Sequence, residues 1–149
     1  MPDEQPFAAP PPIQPPPTIS PPPASAPLPE PERKARLWNM LCHLSVLSGC
    51  IIPFGNFLGP LLIWQIKKHE VPSVEYHGKV ALNFQLTVLI GILISGALAL
   101  VGTFFCLGHI LIALPFLVGL AGLIFPIVNG IKANDGQPIN YPLTIEFFR

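Results

Sequence analysis

Polar and apolar positions along this chain fall into blocks. Residues 80–131 are 52 consecutive positions without Asp, Glu, Lys or Arg, and residues 37–66 are another 30. Stretches such as 86–94 (LTVLIGILI) and 110–120 (ILIALPFLVGL) lack the polar face that a helix on a soluble protein requires. A membrane-spanning helix needs roughly 20 mostly apolar residues. The longer block therefore holds two spans, and the shorter one holds either one long span or two short ones.

The shorter block is interrupted at its centre. Pro53-Phe54-Gly55-Asn56-Phe57-Leu58-Gly59-Pro60 places two prolines and two glycines in eight residues, which predicts a turn or break. Gly55 and Gly59 match Gly-x-x-x-Gly, but between two prolines they read as loop. A single kinked span would give three passes and split the basic residues three against five. A hairpin of two short helices turning near 54–56 gives four membrane segments and gathers all eight Lys and Arg on one side. Basic residues mark the cytoplasmic side, so the hairpin is preferred. Its first arm, residues 37–52, reaches roughly 24 Å at 1.5 Å per residue, less than the roughly 30 Å hydrocarbon core. The hairpin is thus expected either to be re-entrant or to thin the bilayer.

After the hairpin, Ser73 is a candidate N-cap with Glu75 in the first turn. The helix is expected over about 74–101, an outer turn over 102–108 and a last span over 109–131 kinked at Pro115 and Pro126. Asn134-Asp135-Gly136 reads as a helix stop, and 143–148 (LTIEFF) as a short extended or interfacial segment. Small residues recur every four positions at Gly91, Ser95 and Ala99, and again at Gly122, Pro126 and Gly130. Such stripes permit close helix approach, within one chain or between copies.

Composition changes the picture mainly at the N-terminus. Fourteen of the 21 prolines lie in residues 1–36. Runs of three prolines exclude helix and favour solvated polyproline II, so this segment is expected to be a disordered cytoplasmic tail ahead of a helical domain at 37–149. Pro12-Ile13-Gln14-Pro15 fits a Pro-x-x-Pro ligand, although a tail so rich in proline meets that pattern by chance. The opening Met1-Pro2-Asp3-Glu4 has neither a basic region nor an apolar run, and the first span is expected to serve as its own uncleaved signal. The formal net charge is zero, which gives no electrostatic case for nucleic acid. Cys42, Cys50 and Cys106 lack Cys-x-x-Cys spacing and read as small buried hydrophobes.

Candidate chemistry is confined to polar residues at depth: Asn39, His43, Asn56, Asn83, Gln85, His109 and Asn129. Amides in such places serve either as interhelical hydrogen-bond links or as functional sites. Asn83 and Gln85 are expected to hold the third segment against the hairpin carrying Pro53, Asn56 and Pro60. His43 reaches His77 or Glu75 only if the first and third segments pack together, and His109 reads as interfacial. Trp38, Trp64, Lys67, Lys68 and Lys79 are placed as headgroup anchors. No carboxylate lies within the two apolar blocks, and neither a metal-ligand spacing nor a nucleophile motif is present. The expectation is a non-enzymatic protein without metal or cofactor, whose partners are the bilayer and other membrane proteins or further copies of itself.

Several motifs together carry a family resemblance: Trp38 with His43-Leu44-Ser45, Pro53-Phe54-Gly55-Asn56, Gly59-Pro60-Leu61, Trp64 with Lys67-Lys68, His77-Gly78-Lys79, Ala81-Leu82-Asn83-Phe84-Gln85, Lys132-Ala133-Asn134 and Tyr141-Pro142-Leu143. Over residues 37–149 the chain resembles a widespread family of small bacterial membrane proteins of unknown function. That family is distantly similar to the twenty-kilodalton subunit of the chloroplast inner-envelope protein translocon. The resemblance implies an all-α, four-segment helical bundle, a short hairpin plus two long transmembrane helices, in a bacterial inner membrane. It implies no established activity, and Gln137 stands where an acid is expected. The resulting reading is a protein acting by helix packing and partner contact in a membrane assembly, with protein translocation as a remote analogy. The alternative is a small oligomeric channel or carrier using the broken hairpin.

Overall fold

The computed structural model describes residues 27–105 and 108–149, with only the backbone of His109. The expected disordered tail and its Pro-x-x-Pro match, and Cys106, lie outside the described residues. Within them the chain is all helical: α1 (Glu30–Leu44) continues as a 3₁₀ segment (Ser45–Cys50), followed by α2 (Gly55–Lys67), α3 (Ser73–Thr103), the single turn α4 (Gly108–Leu111) and α5 (Ala113–Asn134). Residues 135–149 form a non-helical C-terminal segment.

α1 starts at Glu30, with Pro31 in its first turn, so the junction before Leu37 is already helical. Proline suits that position, where its missing N–H would go unpaired anyway. Glu30 pairs with Arg33 and Glu32 with Arg36 along the exposed face. The hairpin turn lies at 51–54, where Phe54 takes the left-handed conformation (φ 61°) ahead of α2. Its amides close locally: those of Ile51 and Ile52 on the Ser48 carbonyl, and that of Gly55 on Ile52.

Gly55 and Gly59, expected in a loop, instead lie within α2 and form its packing face against the 3₁₀ segment. A Cβ on Gly55 would come within 2.6 Å of the Ser48 carbonyl, and one on Gly59 would meet that of Ser45. The glycines let the arms touch backbone to backbone, and Pro60 is accommodated inside the helix, fully buried.

Ser73 does not cap α3. Pro72 holds the N-cap position, and the Ser73 hydroxyl donates to Asn39 Oδ1 at 3.0 Å, tying α3 to α1. α3 runs two residues past the expected 101, and the last span is broken at Ile112, leaving Pro115 in the first turn of α5 while Pro126 is interior. The small-residue stripes pack within the chain: Gly91 faces Val118, Gly122 faces Val88 and Gly130 faces Leu44. Cys42 is buried with Val71 and Val74, but Cys50 is exposed beside the hairpin turn, contrary to expectation, because the arm ends there without a neighbour to cover it.

Two helices, α3 and α5, are long and apolar enough to cross a membrane, and only 28% and 22% of their most apolar windows are buried inside the protein. The core helix of a soluble protein would be mostly covered; here the apolar surface faces outward, where lipid tails satisfy it.

Candidate functional site

All fourteen Asp, Glu, Lys and Arg residues among those described belong to one end of the molecule, built by α1, the last turn of α2, the 68–72 loop, the first turns of α3, the last turns of α5 and the C-terminal segment. Lys67 bonds Glu70 at 2.8 Å, Lys34 stands 3.9 Å from Glu70, and Lys79 bonds Glu75 at 2.6 Å. The hydrogen bond from Lys67, with its charge, holds the Glu70 carboxyl below the usual carboxylate range. Trp38 sits under the Lys67 ammonium (4.8 Å to the ring centroid). Trp64 sits near those of Lys68 and Lys79, both at 5.9 Å. Trp38 and Trp64 are thus each in contact with Lys side chains of the charged end.

Just inside this layer the polar residues at depth form a ladder. α1 and α3 run parallel and in contact, which brings His43 Nε2 to within 2.9 Å of His77 Nδ1; Glu75 pairs with Lys79 instead. On its other side His43 Nδ1 is 2.8 Å from the Tyr141 hydroxyl. Each ring nitrogen of the fully buried His43 therefore has a partner. With neutral rings, the proton order along Tyr141–His43–His77 runs in one direction or the other as a unit. Tyr141 also lies against Phe84, with ring centroids 4.4 Å apart, and its own burial pushes its phenol above the ordinary value.

Asn83 and Gln85 were expected to share one task, and they do not. Two positions on an α-helix are about 200° apart around the axis, so the side chains leave opposite faces. Gln85 Nε2 donates to the Gly122 carbonyl of α5 at 3.0 Å, and its Oε1 lies 3.4 Å from Asn56 Nδ2 of the hairpin. Asn83 turns to the C-terminal segment. Its Oδ1 accepts from the amides of Phe147 (3.0 Å) and Phe148 (2.9 Å), and its Nδ2 donates to the Phe148 carbonyl (3.0 Å). Pro53 lies exposed in the hairpin turn, while Pro60 is buried in α2.

The C-terminal segment is the part the sequence left vague. It reaches Asn129, which accepts from the Asn140 amide and donates to its carbonyl. It then dips to Thr87, whose hydroxyl accepts from the Ile145 amide, and returns past Asn83 to Lys79, which bonds the Arg149 carbonyl at 3.0 Å. From Lys79 to Thr87 is about 12 Å along α3. Side-chain amides and a hydroxyl thus supply the partners that a helix or sheet would otherwise provide. The segment and α3 enclose a cleft of about 610 Å³ lined by Tyr76, Lys79, Asn83, Tyr141 and Glu146. The only sign of this in the sequence is the set of unpaired amides at depth; nothing local marks residues 140–148 as their partners.

A second, smaller cleft of about 240 Å³ lies at the hairpin tip between Cys50, Asn56, Gln85, Ile92 and Gly119. No cluster of three or more His, Cys, Asp or Glu suited to a metal occurs among the described residues.

Residues 34–148 match the model of the magnetosome magnetite crystal formation protein family, MamF/MmsF. No curated protein and no solved structure matches the chain. The similarity to the chloroplast translocon subunit therefore finds no support in these comparisons. Together with two apolar helices largely bare of protein cover, the match makes this a membrane protein.

Proposed function

Because the chain belongs to the magnetosome magnetite crystal formation protein family, we propose that it serves crystal formation as a non-enzymatic scaffold in the bounding membrane. On this reading it works through helix packing and partner contact and does not coordinate mineral ions. The observation that carries this is the segregation of charge. Every charged residue among those described lies at one end, and the opposite turn presents Phe104, Phe105, Ile110 and Ile112, all exposed and apolar. The gathering of Lys and Arg at that end supports assigning it to the cytoplasm. Both termini then face the cytoplasm, in a membrane derived from or continuous with the inner membrane. Among the described residues, the face toward the compartment interior has no carboxylate to hold iron(III), the hard form of the ion that favours anionic oxygen ligands. Partner contacts fall to the cytoplasmic end, and translocation is not part of this reading.

The test pairs topology with phenotype. Single cysteines replacing Glu70, Asn134 and Phe104 in a Cys-free background should label from the cytoplasm at the first two positions and not at the third. In a host lacking the chromosomal copy, charge reversal at Lys34, Lys132 and Asp135 should impair crystals, whereas Phe104→Ser with Phe105→Ser should not. The reverse pattern would sink the proposal. The channel reading draws on the cleft at the hairpin tip, but beyond Ile92 only α3, α4 and α5 continue, so a path would require several copies.

A further inference from the structure

The hairpin and the helix pair end at different depths. Lateral neighbours fix the register: α2 and α3 run antiparallel, with Trp64 against Gly78 and Asn56 against Gln85. Gly49 and Cys50, just before the hairpin turn, share a cleft with Val88, Ile92 and Gly119. From Lys79 to Ile92 is about 20 Å along α3, and the eleven residues from Leu93 to Thr103 add about 16 Å beyond that cleft. In that far stretch the space between elements is lined by Gly96, Ala99, Thr103, Gly108, Ile112 and Pro115, from α3, α4, α5 and the break between the last two. The outward positions there, Leu93, Ile94, Leu98 and Leu100, are exposed. The hairpin therefore ends short of the far turn, and the described residues put four helical sections and a docked C-terminal segment across one half but two long helices and the short α4 across the other.

The tip closes part of its backbone on itself: the amides of Ile51, Ile52 and Gly55 are bonded within the turn, and the Ser48 hydroxyl donates to the Gly55 carbonyl at 2.7 Å. Its side chains Ile51, Ile52 and Phe54 are exposed and apolar, a surface that lipid tails accept. A helix with its side chains is about 10 Å across, or roughly 80 Å² in section, so the charged half displaces roughly 160 Å² more lipid than the far half.

We propose that this domain is a curvature-selective wedge, whose ligand is a lipid bilayer convex toward its charged end. In a flat bilayer the two leaflets have equal area, and the excess section compresses one of them. Convex bending enlarges that leaflet and relieves the strain. A membrane-bounded compartment inside a cell is convex toward the cytoplasm, so the wedge fits such a boundary in the orientation proposed above. That biological assignment rests on the topology of the preceding section, whereas the shape preference does not.

The full chain, labelled with a fluorophore at its N-terminus, would be reconstituted into giant vesicles of phosphatidylethanolamine and phosphatidylglycerol. Narrow tubes would be pulled outward, and a membrane-impermeant quencher would separate the two orientations. Copies with the charged end outward should be enriched about two- to fivefold in the tube over the parent vesicle, and inward-facing copies depleted, as expected of a curvature-sensitive lipid contact. Equal partition of both orientations, or enrichment of the inward-facing copies, would overturn the proposal. Because the tube reads shape alone, a failure of the cellular topology experiment would leave its result standing, and the reverse also holds.

Discussion

Replacing Asn83 by Leu should release the C-terminal segment while leaving the helices assembled. Asn83 makes three hydrogen bonds to the backbone of Phe147 and Phe148 and is 4% exposed. Polar side-chain bonds in membrane proteins average about 0.6 kcal/mol in double-mutant cycles, so three amount to ~2 kcal/mol. Orphaning two amides and a carbonyl in place would cost more, about 1–3 kcal/mol each, but the segment escapes that cost by undocking into the headgroup layer. The smaller figure therefore sets the expected effect: ~2 kcal/mol is about a twentyfold to thirtyfold rise in the undocked population. Hydrogen exchange of the 139–149 peptide in nanodiscs reads this directly, with the 80–101 peptide as internal control. Faster exchange confined to the C-terminal peptide is the expected result. Asn83→Asp keeps the acceptor for both amides and should lose less. Unchanged exchange at 145–149 with a lowered melting temperature would refute the reasoning and place Asn83 in helix packing.

Gly78→Ala should force α2 away from α3, because the new Cβ would stand 2.6 Å from Trp64 Cβ; overpacking of this kind costs about 1–3 kcal/mol, readable as a lower melting temperature and a shifted Trp64 emission. Gly96→Ala is the matched control: nothing lies within 4 Å of its Cβ, so it should be neutral or stabilising by up to about 1 kcal/mol. Tyr141→Phe removes the partner that His43 Nδ1 has among the described residues and should destabilise by about 1–3 kcal/mol, measured by thermal unfolding in detergent. The Glu70 carboxyl is held low in the folded state, so its contribution is present above the ordinary carboxylate range and is lost as pH falls through the depressed value. Glu70→Gln should flatten that acid limb of the melting-temperature profile, by a small amount because the pair is exposed.

The sequence by itself determined the class, the number of helical segments and the charged end. The charge-free blocks at 37–66 and 80–131 are lengths of chain that water does not accommodate, and Pro53 and Gly55 break the first of them wherever it packs. Sorting all eight basic residues to one side singled out the hairpin, because the energetics of charge at a membrane act on residue type before any tertiary contact forms. The small-residue stripes were visible as close-approach faces, although Gly55 and Gly59 were misread as loop because two flanking prolines outweighed a spacing that only the facing Ser45 and Ser48 carbonyls explain.

Tertiary structure alone decided how far each segment reaches, and which polar group meets which. Arm length left open how far the hairpin extends; the register of Trp64 on Gly78 and Asn56 on Gln85 ends it short of the far end of α3. Asn83 and Gln85 look alike in the sequence, yet the helical rotation between them sends one to the C-terminal segment and the other to α2 and α5. Tyr141 joins His43 across 98 positions of chain. Such pairings carry no local periodicity, since a hydrogen bond between distant segments constrains their placement in space and leaves no mark on the residues around either partner.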